Sequence, residues 1–216
     1  MTLGLPRPAL LVLVVLLGTG LASCAPASQY VVTEGSSKRL PPKNARVAVW
    51  GLRPVVTNAV AGWLRERGHA VIEPVELQRL FDQQHVSVTH SFADEQQALR
   101  AAKELQAELV ILTQSALDTT IVDSAATKTA ATPYPGSMPT VLSSASVSVR
   151  GLDVAAGEQV LNGTAKYPQQ LTAAGQETLA ILTCKALETA WGFTPPGEQT
   201  FLPDKPCPAG GQPPAP

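Results

Sequence analysis

The chain has 216 residues, a formal net charge of −1 and only 15% charged residues, while hydrophobic residues make up 44%. That length fits one ordinary domain with flanking segments. The balanced charge, with no block of five basic residues, argues against nucleic acid as a partner, because nucleic-acid binders neutralise phosphates with clustered lysines and arginines.

The first 23 residues have the organisation of an export signal. Arg7 precedes an apolar run over residues 9–17. This run is too short to cross a bilayer, since a spanning helix needs about 20 residues. It has the length of the apolar core of a secretory signal peptide, which is removed from the mature protein. We therefore predict a signal peptide over residues 1–23.

The signal ends in Leu21-Ala22-Ser23-Cys24, which resembles the lipobox of bacterial lipoproteins. The resemblance implies that Cys24 receives a diacylglycerol, that the chain is cut before it, and that its new amino group is acylated, as with palmitate. Several acyl chains anchor a protein firmly where one does not. Ala25, in place of an aspartate, resembles an outer-membrane address, so we expect an anchor facing the periplasm. The alternative is an ordinary secretory signal with a chance cysteine.

Composition divides the rest of the chain into three parts. Residues 24–44 are rich in proline, glycine and serine and have no apolar period, which is typical of a flexible tether. Residues 195–216 contain eight prolines and a Gly-Gly pair, and such a tail is expected to be disordered. The folded periplasmic domain is therefore predicted over residues 45–194.

Within that domain, strands and helices alternate in the first half. Strands are predicted over residues 46–50, 69–72 and 109–112, the last as a continuous apolar run covered on both faces. Helices are predicted over 54–67, from Pro74, and behind a capped helix start at Ser91 to Asp94, with an apolar face that extends to Leu105. Partly alternating segments at 115–122, 143–154 and 159–165 predict further strands, with a hairpin turn at 155–158. A closing helix is predicted over 171–191.

This order of elements predicts an α/β (α+β) fold with a mixed β-sheet packed with helices. The order is β-α-β-α-α-β, followed by the hairpin strands and the closing helix, in two or three layers. We expect Val49, Ile72, Val110 and Leu112 to be buried on adjacent strands of one sheet.

Two cysteines remain if Cys24 carries lipid. In an oxidising compartment, Cys184 and Cys207 suggest one disulfide. On the closing helix, Cys184 falls nearly opposite the apolar stripe that includes Leu179 and Leu182, so we expect an outward-facing sulfur that pairs with the tail. Two free thiols are the alternative. The spacing of the cysteines does not suit a metal, and no metal site is predicted.

Three segments together resemble a known family. They are Arg46-Val-Ala-Val-Trp50, the strand from Ala107 to Gln114, and the Asp-Val-x-x-Gly-Glu hairpin from Asp153 to Glu158. With the order of elements, they resemble the periplasmic domain of the curli secretion channel subunit over about residues 45–192. The same fold recurs in the penicillin-binding-protein activator lipoproteins and in the amino-terminal domain of the Tol–Pal periplasmic protein. The resemblance implies an assembly, secretion or regulatory role without catalysis.

Residues that carry chemistry are sparse. His69, His85 and His90 are interpreted as solvent-facing loop histidines. Gly157 and Gly163 are assigned to hairpins, the second within an Asn-Gly-Thr turn, so neither suits a phosphate-binding loop. No catalytic residue and no cofactor are predicted. Trp50 ends a strand and is a candidate for partner contact if it is exposed, although a core position is favoured.

Two functions follow from these observations. The first is a non-catalytic binding or assembly module, whose partner is another cell-envelope protein or a second copy of the chain. The alternative is a subunit of a curli-type outer-membrane secretion channel, which would contribute two long hairpins. The insertion at 123–142 contains Pro133, Pro135 and Pro139, which oppose central strands, and the turn at 155–158 leaves no room for a second long hairpin. The binding module is therefore favoured.

Overall fold

The computed structural model describes residues 30–84, 95–122, 140–170 and 174–200. These residues form seven strands and four helices: β1 (Tyr30–Ser37), β2 (Arg46–Gly51), α1 (Pro54–Glu66), β3 (Ala70–Ile72), α2 (Pro74–Gln83), α3 (Glu95–Glu104), β4 (Leu109–Val122), β5 (Thr140–Asp153), β6 (Gln159–Gln170), α4 (Gln176–Ala190) and β7 (Gly197–Thr200). Within the described ranges, no helix combines the length and the apolarity that a bilayer span requires.

All seven strands belong to one mixed sheet in the order β3-β2-β4-β5-β6-β1-β7. β3, β2 and β4 are parallel, whereas β4, β5, β6, β1 and β7 pair in antiparallel fashion. Parallel neighbours need a long crossover, and antiparallel neighbours need only a turn. The alternating strands and helices predicted in the first half of the chain therefore correspond to the parallel pairing, and the successive strands predicted in the second half correspond to the antiparallel pairing. The predicted α+β fold with a mixed sheet is confirmed.

Each face of the sheet builds its own core, because side chains alternate along a strand. On one face α1 and α4 cover Val49, Ile111 and Val149, and on the other face α2 and α3 cover Trp50 and Leu112. The main contacts of α2 and α3 are with β2 and β4. The domain therefore has three layers over its parallel strands and two layers elsewhere.

The predicted core residues are buried. Val49, Val110 and Leu112 are fully inaccessible, and Ile72 is 3% exposed. Burying an aliphatic side chain of this size contributes about 1.5–3 kcal/mol. The central strands β3, β2 and β4 therefore supply much of the apolar burial that holds the fold together.

Prolines and glycines set the limits of the elements, as the sequence predicts. Pro54 and Pro74 each occupy the first turn of a helix, where the missing N–H has no cost. Gly68 has φ +82° just after α1, and Gly157 has φ +69° in the β5–β6 hairpin. Both angles are in the left-handed region that glycine adopts most readily. These local signals explain why the first-half helices were predictable.

Two predicted domain boundaries are wrong. Residues 30–37 of the expected tether form β1, which pairs with β6 and β7, and residues 197–200 of the expected tail form β7. Val31 and Thr33 of β1 are buried. The structure of β1 therefore depends on packing against the rest of the domain, which the local composition does not reveal. The signal peptide, Cys24 and residues 201–216 lie outside the described residues.

Gly163 lies in the middle of β6, not in a turn. It is opposite Gly35 of β1 and Val149 of β5. A Cβ atom at Gly163 would lie 2.2 Å from the Ala186 carbonyl oxygen of α4. The glycine therefore permits the close approach of α4 to the sheet, and the assignment of Asn162-Gly163-Thr164 to a turn is wrong.

Candidate docking surface

The candidate surface begins where β2 ends. Gly51, the last residue of β2, is opposite Thr113 of β4, and Pro54 then opens α1. Proline lacks the N–H that a sheet ladder needs. A Cβ on Gly51 would lie 1.9 Å from Thr113 Oγ1, and that hydroxyl donates a hydrogen bond to the Trp50 carbonyl at 3.3 Å. β2 therefore ends at Gly51, where its backbone is closely packed against Thr113.

β4 continues past the end of β2. Its residues 114–122 pair with β5 on one side, and on the other side no described strand pairs with them. Gln114, Ala116, Asp118, Thr119 and Thr120 are exposed. Alternate backbone N–H and C=O groups of this segment therefore have no strand partner among the described residues. We call residues 114–122 the β4 edge.

The β4 edge differs from the two outer edges of the sheet. β3 has only three residues, and β7 has four residues that follow Pro195 and Pro196. Short strands, prolines and lysines are the usual means by which proteins prevent edge-to-edge pairing. Residues 114–120 contain no proline and no lysine, and Asp118 is their one charged residue. The β4 edge is thus long and weakly protected.

A groove of about 450 Å³ lies at the carboxyl ends of β2 and β3. α1 follows β2 on one face of the sheet and α2 follows β3 on the other, which opens a crevice of the kind that binds ligands in parallel sheets. Leu52 and Val75 line the groove and are 51% and 62% exposed. Because Gly51 also lines it and lies opposite Thr113, the groove adjoins the start of the β4 edge.

Trp50, the aromatic residue singled out from the sequence, is not an exposed contact. It is 3% exposed and packs edge-to-face on Phe81, with ring centroids 4.8 Å apart. The exposed apolar residues of the groove are instead Leu52 and Val75, which the sequence analysis missed. The available signal was an apolar residue within two positions of each helix-opening proline, outside the periodic pattern.

Cys184 is buried, which contradicts the expected outward-facing position. It is 5% exposed within the core between α4 and the sheet, because α4 is enclosed by α1, β1, β5 and β6. Cys184 is disulfide-bonded. The other two cysteines of the chain, Cys24 and Cys207, lie outside the described residues, so the pairing with Cys207 stays a prediction.

Trp63 and Trp191 are buried and form an aromatic cluster that joins the ends of α1 and α4. Their ring centroids are 4.8 Å apart, and the Arg67 guanidinium lies 3.5 Å from a Trp63 ring centroid. Burial lowers the pKa of Arg67 from its ordinary value, and the charges of Glu188 and Glu66 oppose that shift. The contact is a cation–π interaction that stabilises the fold.

Asp153 has a structural role at the end of β5. Asp153 forms an ion pair with Arg39, and its Oδ1 accepts hydrogen bonds from the backbone N–H groups of Ala155 and Ala156 at 3.0 and 2.9 Å. These bonds fold the β5–β6 turn. His85 and His90 lie outside the described residues. Among the residues that the structure describes, no group of three histidine, cysteine or acidic side chains could hold a metal.

No family profile and no curated protein matches this chain. Among solved structures, the chain is similar to the PelC dodecamer from Paraburkholderia phytofirmans, with 15% identity, a TM-score of 0.46, and coverage of 73% of this chain and 94% of that one. For lipoprotein GNA1162 from Neisseria meningitidis the identity is 11%, the TM-score 0.43 and the coverage 67% and 96%. For the LpoB C-terminal domain from Salmonella enterica these values are 12%, 0.40, 58% and 84%. Likeness at this level transfers neither a function nor a partner to this chain.

Proposed function

We propose that this protein is a non-catalytic binding module that is lipid-anchored at the outer membrane and holds another cell-envelope protein on its periplasmic side. The observation that carries the proposal is the β4 edge, a long strand edge with few charges beside an exposed apolar groove. Unpaired strand edges and exposed apolar side chains are both means of protein recognition. The anchor at Cys24 is supported by the lipobox resemblance.

The pairing of the described strands supports a position of the β4 edge near the proposed anchor. β1, β6, β5 and β4 are successive antiparallel neighbours, so the start of β1 and the end of β4 lie at the same end of the sheet. Tyr30 is six residues after Cys24, and a fully extended chain of that length reaches about 20 Å. The acylated protein would therefore keep its docking surface next to the membrane, and its partner would have to be membrane-proximal.

The alternative of a channel subunit has one observation in its favour. β4 and β5 have 14 residues each, more than the 9–11 or so that a membrane-crossing strand needs. However, Gln114, Asp118 and Thr120 follow one face of β4, and Ser115 and Thr119 follow the other. A strand that contacts lipid alternates apolar residues on its outer face. The binding module is therefore the better supported proposal.

Crosslinking in living cells tests this function. A photoreactive benzoylphenylalanine in place of Thr119, on the β4 edge, is expected to capture one specific envelope protein in the membrane fraction. The matched control is the same group in place of Glu158, an exposed residue in the hairpin turn at the other end of the sheet. Cys24→Ser should move the captured complex to the soluble fraction or leave the chain unprocessed.

The proposal is wrong if a scan of exposed positions over the whole described surface captures no protein. A large oligomer of the purified protein that conducts ions across planar bilayers would support the channel subunit instead.

A further inference from the structure

We infer that the β4 edge binds an extended segment of the partner protein as an additional strand of the sheet. In this complex a basic side chain of the partner lies opposite Asp118, and an apolar side chain of the partner enters the groove beside Leu52 and Val75. The inference rests on the proposed function and specifies the chemistry of the partner at the same surface.

The geometry of β2 and β4 favours a strand over any other shape. β2 pairs with β4 up to Gly51 and Thr113. Beyond that point, no described strand lies on this side of β4 along residues 114–122. A segment in that place would continue the line of β2, about 4.8 Å from β4. Its main chain would satisfy the edge groups of β4, and its alternate side chains would supply specificity.

Asp118 argues against a second copy of this chain as the occupant. Residue 118 is the midpoint of 114–122, so antiparallel self-pairing along the whole edge would place Asp118 opposite Asp118. Like charges directly opposite one another destabilise a sheet. Of the two outer edges, β3 has only three residues, and β7 carries Glu198 within its four residues, so pairing β7 of one copy with the β4 edge of another would add a second acidic residue. A partner strand with a lysine or arginine opposite Asp118 removes this repulsion.

The groove supplies the apolar part of the recognition. Leu52 and Val75 are more than half exposed. Leu52 directly follows Gly51, the β2 residue opposite Thr113, and Val75 lines the same groove. A partner residue in the groove would bury these two side chains and the prolines next to them. The expected partner segment is therefore extended and weakly charged, with one basic residue near its centre and an apolar residue at the end that meets β2.

A synthetic nine-residue peptide tests the inference on the purified full-length protein. The peptide alternates threonine and valine, with a central lysine and a leucine at each end, so that both strand directions are covered. It should bind about 1.5- to 5-fold more tightly than the same peptide with a central glutamate. Asp118→Lys should reverse this preference, and Glu158→Lys, at the opposite end of the sheet, should leave it unchanged.

Main-chain pairing has its own test. Two versions of the lysine peptide carry N-methyl groups on the odd or on the even residues. A strand uses the N–H groups of alternate residues toward one neighbour, so one version should lose at least tenfold in affinity and the other should bind as before. Hydrogen exchange should slow at alternate amides of residues 114–122 when the unmethylated peptide binds. Leu52→Ala should weaken binding about three- to tenfold.

Three results would overturn the inference. They are equal binding of both N-methyl versions, protection from exchange of the amides of residues 114–122 that do not pair with β5 before any peptide is added, and an oligomer of the protein alone that the uncharged variant Asp118→Asn strengthens. The second would identify another segment of this chain as the occupant, and the third a second copy. If photocrosslinks form only from positions away from the β4 edge, this inference fails while the proposed binding function stands.

Discussion

His69 is half-buried between α1 and β3, although it was predicted to face the solvent, and we expect it to make the stability depend on pH. Burial and the positive charge of Arg67 lower its pKa, while a hydrogen bond to the Ala45 backbone and the charge of Glu108 oppose the shift. The unfolded chain therefore binds a proton at higher pH than the folded chain, with an unfolded pKa of about 6.5. Stability from neutral His69 should be complete above that value and should be lost as the pH falls below it.

Denaturant unfolding of the wild type and of His69→Gln from pH 7.5 to pH 5 measures this effect. The wild type should lose free energy of unfolding relative to the variant as the pH falls. Parallel curves for the two proteins across this range would show that His69 does not change its protonation on unfolding.

Gly163 controls the distance between α4 and the sheet. Gly163→Ala should destabilise the domain by about 1–3 kcal/mol, because a new methyl group has no space in a packed core and would contact the Ala186 carbonyl and the Ala190 side chain. Gly62→Ala is the matched control, since no atom lies within 4 Å of its added Cβ and alanine is the better helix former by about 1 kcal/mol. In thermal unfolding, the melting temperature of Gly163→Ala should be lower than that of the wild type, and the melting temperature of Gly62→Ala should be higher. A neutral Gly163→Ala would mean that α4 can retreat from β6 without cost.

At the scale of elements, the sequence predicted what local signals specify. α1 and α2 have a proline in the first turn and a regular apolar face. The continuous apolar run from Leu109 to Leu112 is typical of a strand that is buried on both faces. β1 and β7 lack such signals. β1 buries only Val31 and Thr33, and its partners in β6 and β7 are more than 120 residues away, so the pairing that stabilises it cannot be deduced from a window of sequence.

β7 completes the sheet and should contribute measurably to stability. Gln199 Nε2 donates to Thr33 Oγ1 at 2.9 Å, and that buried hydroxyl donates to the Gly197 carbonyl at 3.2 Å. Two truncations, after Pro196 and after Thr200, both remove Cys207 and differ only in β7. Truncation after Pro196 should be less stable by about 1–3 kcal/mol, since several hydrogen bonds of about 1 kcal/mol are lost. Equal urea midpoints for the two proteins would restore the assignment of residues 197–200 to a disordered tail.

At the scale of the whole molecule, the candidate surface was not predictable from the sequence. It arises because β2 stops at Gly51 while β4 continues to Val122, and this difference matters only once the two strands are neighbours. Trp50 and Thr113, which are joined by a hydrogen bond where the pairing of β2 with β4 ends, are 63 positions apart. The low charge of residues 114–120 was visible, but without the sheet order it describes an ordinary polar strand.

The short connection to the proposed anchor gives the last prediction. β1 begins at Tyr30, so the chain from Cys24 is too short for the long leash that a tether over residues 24–44 would have provided. Inserting twelve glycine and serine residues after Ser28 adds a flexible span of about 20 Å. The docking surface would then sample a larger volume, and its effective concentration toward a membrane-proximal partner would fall. The yield of the Thr119 crosslink should therefore drop in cells, while the affinity of the purified protein for the lysine peptide stays the same. The same insertion in a Cys24→Ser background should have no effect on the crosslink. An unchanged yield in the anchored protein would show that the partner reaches the β4 edge from the periplasm and not along the membrane.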